Sequence, residues 1–112
     1  AEKFKAEAVG VEMDENLCKQ STARIAELGL EKRVKILQEN MYKVSLRRAT
    51  VVTLYLLTSV NERLRPIMER DLRPGARVVT HDFKVPGWED KESKIVISET
   101  GVSHTLYLYV RP

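Results

Sequence analysis

Residues 49–57, ATVVTLYLL, form the longest apolar run in the chain, bounded by Arg47 and Arg48 before it and by Thr58 and Ser59 after it. The run is rich in Val, Thr, Leu and Tyr and lacks strict alternation, which predicts a strand buried on both faces, as in a parallel sheet covered by helices. A strand of that kind obliges the rest of the chain to pack around it. With 112 residues the chain has enough material for one domain with a real core, but little to spare for covering both faces of a doubly wound sheet.

The flanking segments supply the expected alternation. Residues 8–12 (AVGVE) are a short apolar run ending in an acid, and Asp14 then offers an N-cap with Glu15 in the first turn of a helix. Leu17, Ser21, Ile25 and Leu28 recur at helical spacing beside Cys18, and Gly29 supplies the stop. Residues 33–38 (RVKILQ) predict a second strand, followed by an irregular stretch over 39–46. After the central run, Ser59 and Glu62 have the spacing of a capping box, and Val60, Leu64, Ile67, Met68 and Leu72 mark one helical face. Pro66 interrupts that pattern and predicts a kink or the first turn of another helix. Arg73, Pro74 and Gly75 end the segment, residues 76–83 (ARVVTHDF) predict a fourth strand, and 94–98 with 103–110 predict an antiparallel hairpin. In its last strand Leu106, Leu108 and Val110 alternate with Tyr107 and Tyr109, the pattern of an interior strand. The order predicts a three-layer α/β sheet with right-handed crossovers, ending in antiparallel strands, in a single domain.

Composition narrows the function classes. With 19 basic and 16 acidic residues the formal charge is +3, mostly interspersed in mixed sign, so a nucleic-acid partner is less favoured than a solvated surface. No apolar run is long enough to span a bilayer. The lone Cys18 cannot form an intrachain disulfide, which fits a reducing, cytoplasmic location. The two histidines, His81 and His104, carry no ligand spacing, so a metal centre is not expected, and no Ser-His-Asp pattern stands out.

Three stretches carry a resemblance to a known family: AVGVEMDENL, the run ATVVTLYLLTSVNERLRPIMERDLRPGARVV continuing through THDFKVPGW, and the closing HTLYLYV. Together they resemble the C-terminal two-thirds of a class I, seven-strand S-adenosylmethionine-dependent methyltransferase. They are similar in particular to the small archaeal broad-specificity protein-lysine methyltransferases. The resemblance implies a Rossmann-like sheet. It also exposes a departure, because the family's first strand and Gly-rich cofactor loop have no counterpart and no Gly-x-Gly occurs in the chain. In the family that strand lies between the strands at 8–12 and 49–57. Its absence, with a start at Ala1 in what reads as the last turn of a helix, leads to the expectation of a fragment with two unpaired strand edges, prone to swapping or dimerisation.

The same resemblance implies roles for individual residues. Glu12, ending its strand, would accept hydrogen bonds from the cofactor's ribose hydroxyls. Asn40 would read the adenine amino group, against a plain turn-forming role, and Asp14 is expected to be a cap. Leu57 would contact the cofactor, and Tyr55 and Thr58 would lie at the transferred methyl and incoming amine. His81, Phe83 and Trp88 would border the acceptor, although His81 paired with Asp82, and Trp88 in packing, have ordinary structural readings. Arg47 and Arg48 are expected to solvate a loop, and Tyr107 and Tyr109 to pack in the sheet rather than stack on bases. The expected activity is methyl transfer from S-adenosylmethionine to protein lysine side chains. RNA or small-molecule acceptors, and a non-catalytic interaction module, are the alternatives the residues leave open.

Overall fold

A computed structural model describes residues 5–112. The expected helical turn at the start of the chain falls largely on residues 1–4, outside the described residues, and residues 5–7 carry no regular structure. The sequence predicts one domain. The structure gathers the residues into two compact units, the first running as far as Val44 and the second spanning Ser45–Pro112.

In the first unit, strand β1 (Ala8–Glu12) pairs in parallel with β2 (Val34–Gln38), Ala8 opposite Val34 and Glu12 opposite Gln38. Between them runs helix α1 (Glu15–Glu27), a right-sized crossover for parallel strands. Asp14 caps it as expected, its carboxylate accepting from the Leu17 N–H at 3.0 Å, and Gly29, at φ 68°, turns the chain out of it. Gly10 is the close approach of this unit: a Cβ there would lie 2.8 Å from Ile36 Cδ1. The predicted apolar stripe on α1 needs correcting. Leu17 and Leu28 remain 47% and 43% exposed, and Cys18 is the residue buried. A two-stranded sheet is too narrow to cover a full helical stripe.

In the second unit the strand order is β3-β4-β6-β5. β3 (Val51–Leu54) is parallel to β4 (Arg77–His81), and β6 (Ser103–Val110) lies antiparallel between β4 and β5 (Glu92–Ile97). The hairpin and the interior position of β6 therefore match the sequence. The central run does not keep its predicted length: only 51–54 form strand, with alternating exposure, while Tyr55 and Leu57 are each 61% exposed. The reason lies in its neighbour. Pairing ends at Leu54 opposite Thr80, and just beyond it Asp82 takes a positive φ of 64° that ends β4. β3 pairs with β4 alone among the described residues, and Val51 and Thr53 on one of its faces are exposed, so the run is not the strand buried on both faces that its composition suggests.

Helix α2 (Thr58–Asp71) begins one residue before the predicted cap. Leu57 is the N-cap residue, no side chain caps the helix, and the Ser59–Glu62 box does not form. Pro66 sits inside one continuous helix and starts no second one. The predicted face is otherwise right: Leu64, Met68 and Leu72 are buried, and with Ala76, Val78, Val85 and Tyr109 they make the apolar core. Asn61, fully buried on the same helix, donates through Nδ2 to the carbonyls of Phe83 (3.1 Å), Lys84 (3.2 Å) and Leu56 (3.4 Å). That amide ties the start of the helix to the loops that follow β3 and β4. At the other end of α2 the buried Asp71 carboxylate accepts from Arg70 at 2.9 Å and from the Leu46 N–H at 3.0 Å. Arg70 first, and then that backbone bond, hold its pKa below the usual carboxylate range.

Candidate functional site

Parallel strands place side chains for ligands at their carboxyl ends, where loops leave the sheet. In the first unit this end carries Glu12 and Asn40. The Glu12 carboxylate accepts from the Asp14 N–H at 3.0 Å, which orients it, while its main-chain oxygen receives the Glu39 N–H (3.2 Å) and the Cys18 thiol (3.3 Å). An oriented carboxylate at a strand terminus is a fit acceptor for a vicinal diol. Burial, then Glu12, Asp14 and Glu15, raise the Cys18 pKa, which favours the protonated thiol that donates to the Glu12 carbonyl. Asn40 caps the short 3-10 helix Met41–Lys43, its Oδ1 accepting from the Tyr42 N–H at 2.9 Å. The turn-forming role is thus present. An adenine amino group would have to use the second lone pair of the same oxygen.

In the second unit the carboxyl ends of β3 and β4 bring Tyr55 and His81 together, with ring centroids 4.1 Å apart. The β4–β6 register sets His81 opposite Leu106, so His104, two residues along β6, shares its face of the sheet. The two imidazoles are 4.6 Å apart between centroids. Asp82 joins them: Oδ2 lies 2.9 Å from His104 Nδ1 and 3.8 Å from His81 Nε2, while Oδ1 accepts from the Thr105 N–H at 2.9 Å. The Asp82 N–H in turn donates to the Thr105 carbonyl at 2.7 Å. The His104 bond, followed by the Thr105 bond, keeps the Asp82 pKa low. Leu57 and Thr58 follow Tyr55 at the start of α2, both exposed.

Two predicted acceptor residues make other contacts. Phe83 contributes its main chain, its N–H donating to the His81 carbonyl at 2.8 Å and its carbonyl receiving Asn61. Trp88 packs instead against the core residue Tyr109, centroids 5.7 Å apart, with its Nε1–H donating to Glu69 of α2 at 2.9 Å and Arg111 above its ring. His104 and Asn61 are the residues that sequence patterning did not single out. Nothing in the local spacing marks His104, 22 residues from Asp82; only the β4–β6 register reveals it. Asn61 stood inside the expected capping box, where its own role was hidden.

The comparisons with known proteins agree with this arrangement of strands and crossovers. A protein-lysine N-methyltransferase of Saccharolobus islandicus (strain REY15A) is 44% identical over 103 residues, covering 92% of this chain. The chain spans 63% of that relative's length. Among solved structures, an RNA methyltransferase from Salinibacter ruber in complex with S-adenosyl-L-homocysteine superposes with a TM-score of 0.87 at 37% identity, covering 98% of this chain and 69% of that one. The B. subtilis m1A22 tRNA methyltransferase shares the fold with a TM-score of 0.75 at 11% identity, over 95% of this chain and 50% of its own. The fold is therefore that of the Rossmann-like class I methyltransferases. Residues 1–92, which take in both compact units up to the first residue of β5, match the family model of the ANTKMT methyltransferase domain, and it is to this family that the chain belongs.

Proposed function

We propose that the protein is an S-adenosylmethionine-dependent methyltransferase acting on lysine side chains of proteins, with both compact units belonging to one methyltransferase domain. The observation that carries this reading is the 44% identity with a protein named as a protein-lysine N-methyltransferase. When bound, the cofactor supplies a methyl group on a sulfonium. That group would pass to the neutral lysine amine, the sulfonium becoming a thioether as the S–C bond gives way to the N–C bond, with the extra amine proton going to solvent. Such a displacement needs positioning more than it needs a protein nucleophile. Glu12 is assigned to the ribose hydroxyls, Asn40 to the adenine edge and Leu57 to an apolar contact with the cofactor. Tyr55 and Thr58 are assigned to the reacting methyl and amine, and His81, with Phe83 and Trp88 more remotely, to the acceptor. The exposed ring of Tyr55 over His81 suits a lysine side chain, since an aromatic face attracts an ammonium group before it loses its proton.

An RNA acceptor is the second reading, favoured by the 37% identity with the Salinibacter RNA methyltransferase. The tyrosines of β6 speak against base stacking, however: Tyr109 is 2% exposed with its hydroxyl bound to the Val85 N–H, and Tyr107 lies beneath the Lys84 ammonium. The proposal places the protein in the cytoplasm, where a lone thiol stays reduced. It includes self-association through the edges of β1 and β3, each of which has a single strand partner among the described residues. A monomer at all concentrations in analytical ultracentrifugation removes that part alone.

The deciding experiment incubates the protein with methyl-labelled cofactor, mixed proteins and total RNA. Methyllysine in protein hydrolysates is the expected product; label in RNA alone overturns the lysine reading. Glu12→Ala is expected to weaken cofactor binding roughly 10- to 100-fold, the loss of one or two charge-assisted hydrogen bonds.

A further inference from the structure

His81, Asp82 and His104 make a cluster that methyl transfer does not require. Their candidate ligand atoms, two imidazole nitrogens and a carboxylate oxygen, all lie within 4.8 Å of one another. We propose that these three side chains form a binding site for a divalent transition-metal cation of the zinc type, a second use of His81 beside the acceptor role assigned above and one whose test does not depend on that role.

The geometry comes first. A tetrahedral cation about 2.0–2.2 Å from each nitrogen and oxygen ligand holds neighbouring ligands roughly 3.3–3.6 Å apart. Asp82 Oδ2 stands 2.9 Å from His104 Nδ1 and 3.8 Å from His81 Nε2, and no two ligand atoms are more than 4.8 Å apart, so the two imidazoles would close on a cation by rotating toward it. Each ligand is also held by a group outside the cluster. Thr105 fixes Asp82 through both its main-chain N–H and its carbonyl, with Asp82 in the left-handed backbone region; the ring of Tyr55 lies against His81; and β-sheet pairing sets His104. Groups that orient metal ligands from behind in this way determine much of a site's affinity.

The donor set selects the ion. Two imidazoles with one carboxylate suit zinc, cobalt or ferrous iron far better than calcium or magnesium, which take oxygen ligands. The three side chains are 25–31% exposed, so a cation can enter from solvent and keep water in its remaining positions.

The test uses tag-free protein stripped with a chelator, then titrated with zinc in a calorimeter and with cobalt in a visible spectrometer. The expected result is one equivalent of metal, with the imidazole ¹⁵N resonances of both histidines shifting in the unsubstituted chain. His81→Ala and His104→Gln should each weaken binding at least about tenfold, with circular dichroism showing that the fold is kept. Cys18→Ser should leave binding unchanged. Unmoved imidazole resonances at saturating zinc overturn the proposal whether or not the variants fold, and so does binding that is lost only with Cys18.

Discussion

The two compact units differ in what they bury. In the second, Met68 and Val78 are completely sequestered, and Leu64, Leu72, Val85 and Tyr109 are nearly so. In the first, Cys18 is the one described residue that is buried, and Val9, Met13, Leu17 and Leu28 remain exposed. Both units contain parallel strands and a helix, so secondary structure alone does not distinguish them. A four-stranded sheet supplies a surface wide enough for a helix to seal, whereas a pair of strands does not. Regular elements are thus shared, and among the described residues a sequestered interior belongs to the second unit.

The sharpest way to break this contrast is substitution in the interior of the second unit. Met68→Ala is expected to destabilise that unit by about 2–5 kcal/mol, measured by chemical denaturation. A change below 1 kcal/mol would mean that the helix seals the sheet no better than α1 seals its pair. Tyr109→Phe should cost about 1–3 kcal/mol in the same assay, because the Val85 N–H loses its acceptor in a dry position. In the first unit Asp14→Ala should cost only about 1 kcal/mol, the value of an exposed helix cap. The smallest effect is set by pH. The folded Asp71 carboxyl has a lowered pKa, so its contribution is fully present above the unfolded value of about 4 and is lost as pH falls through the folded value. Acid unfolding followed on the second unit should therefore have a shallower limb in Asp71→Asn, and an unchanged limb would assign acid sensitivity elsewhere. Amide hydrogen exchange compares the units directly, with slower exchange expected in β4 and β6 than in β1 and β2.

Local chemistry was the most legible part of the sequence. Asp14 as a cap, Gly29 as a stop, the acid closing β1 and the interior hairpin strand all follow from short-range rules, and each is present. What failed were inferences that depend on neighbours. The run at 49–57 is apolar throughout, yet how much of it becomes strand depends on where β4 stops, and that is decided by the backbone of Asp82. The Ser59–Glu62 box has the right spacing, but α2 starts earlier, with Asn61 anchoring its first turns to loop carbonyls. His104 belongs to the candidate site only because β6 inserts beside β4, a register that no single stretch encodes. The position of Glu12 was accessible because it ends β1, whereas Tyr55 lies one residue past the end of β3, an end that the continuous apolar run did not mark.

The placement of Trp88 has a practical consequence. It is the only tryptophan in the chain, and its indole rests on Tyr109 and beneath Arg111. Excited selectively, it is an intrinsic optical reporter attached to the second unit and sensitive to loss of contact with Tyr109. Fluorescence and far-ultraviolet dichroism would then give superimposable melting curves only if the two units unfold together, which turns a single aromatic residue into a direct measure of cooperativity between them.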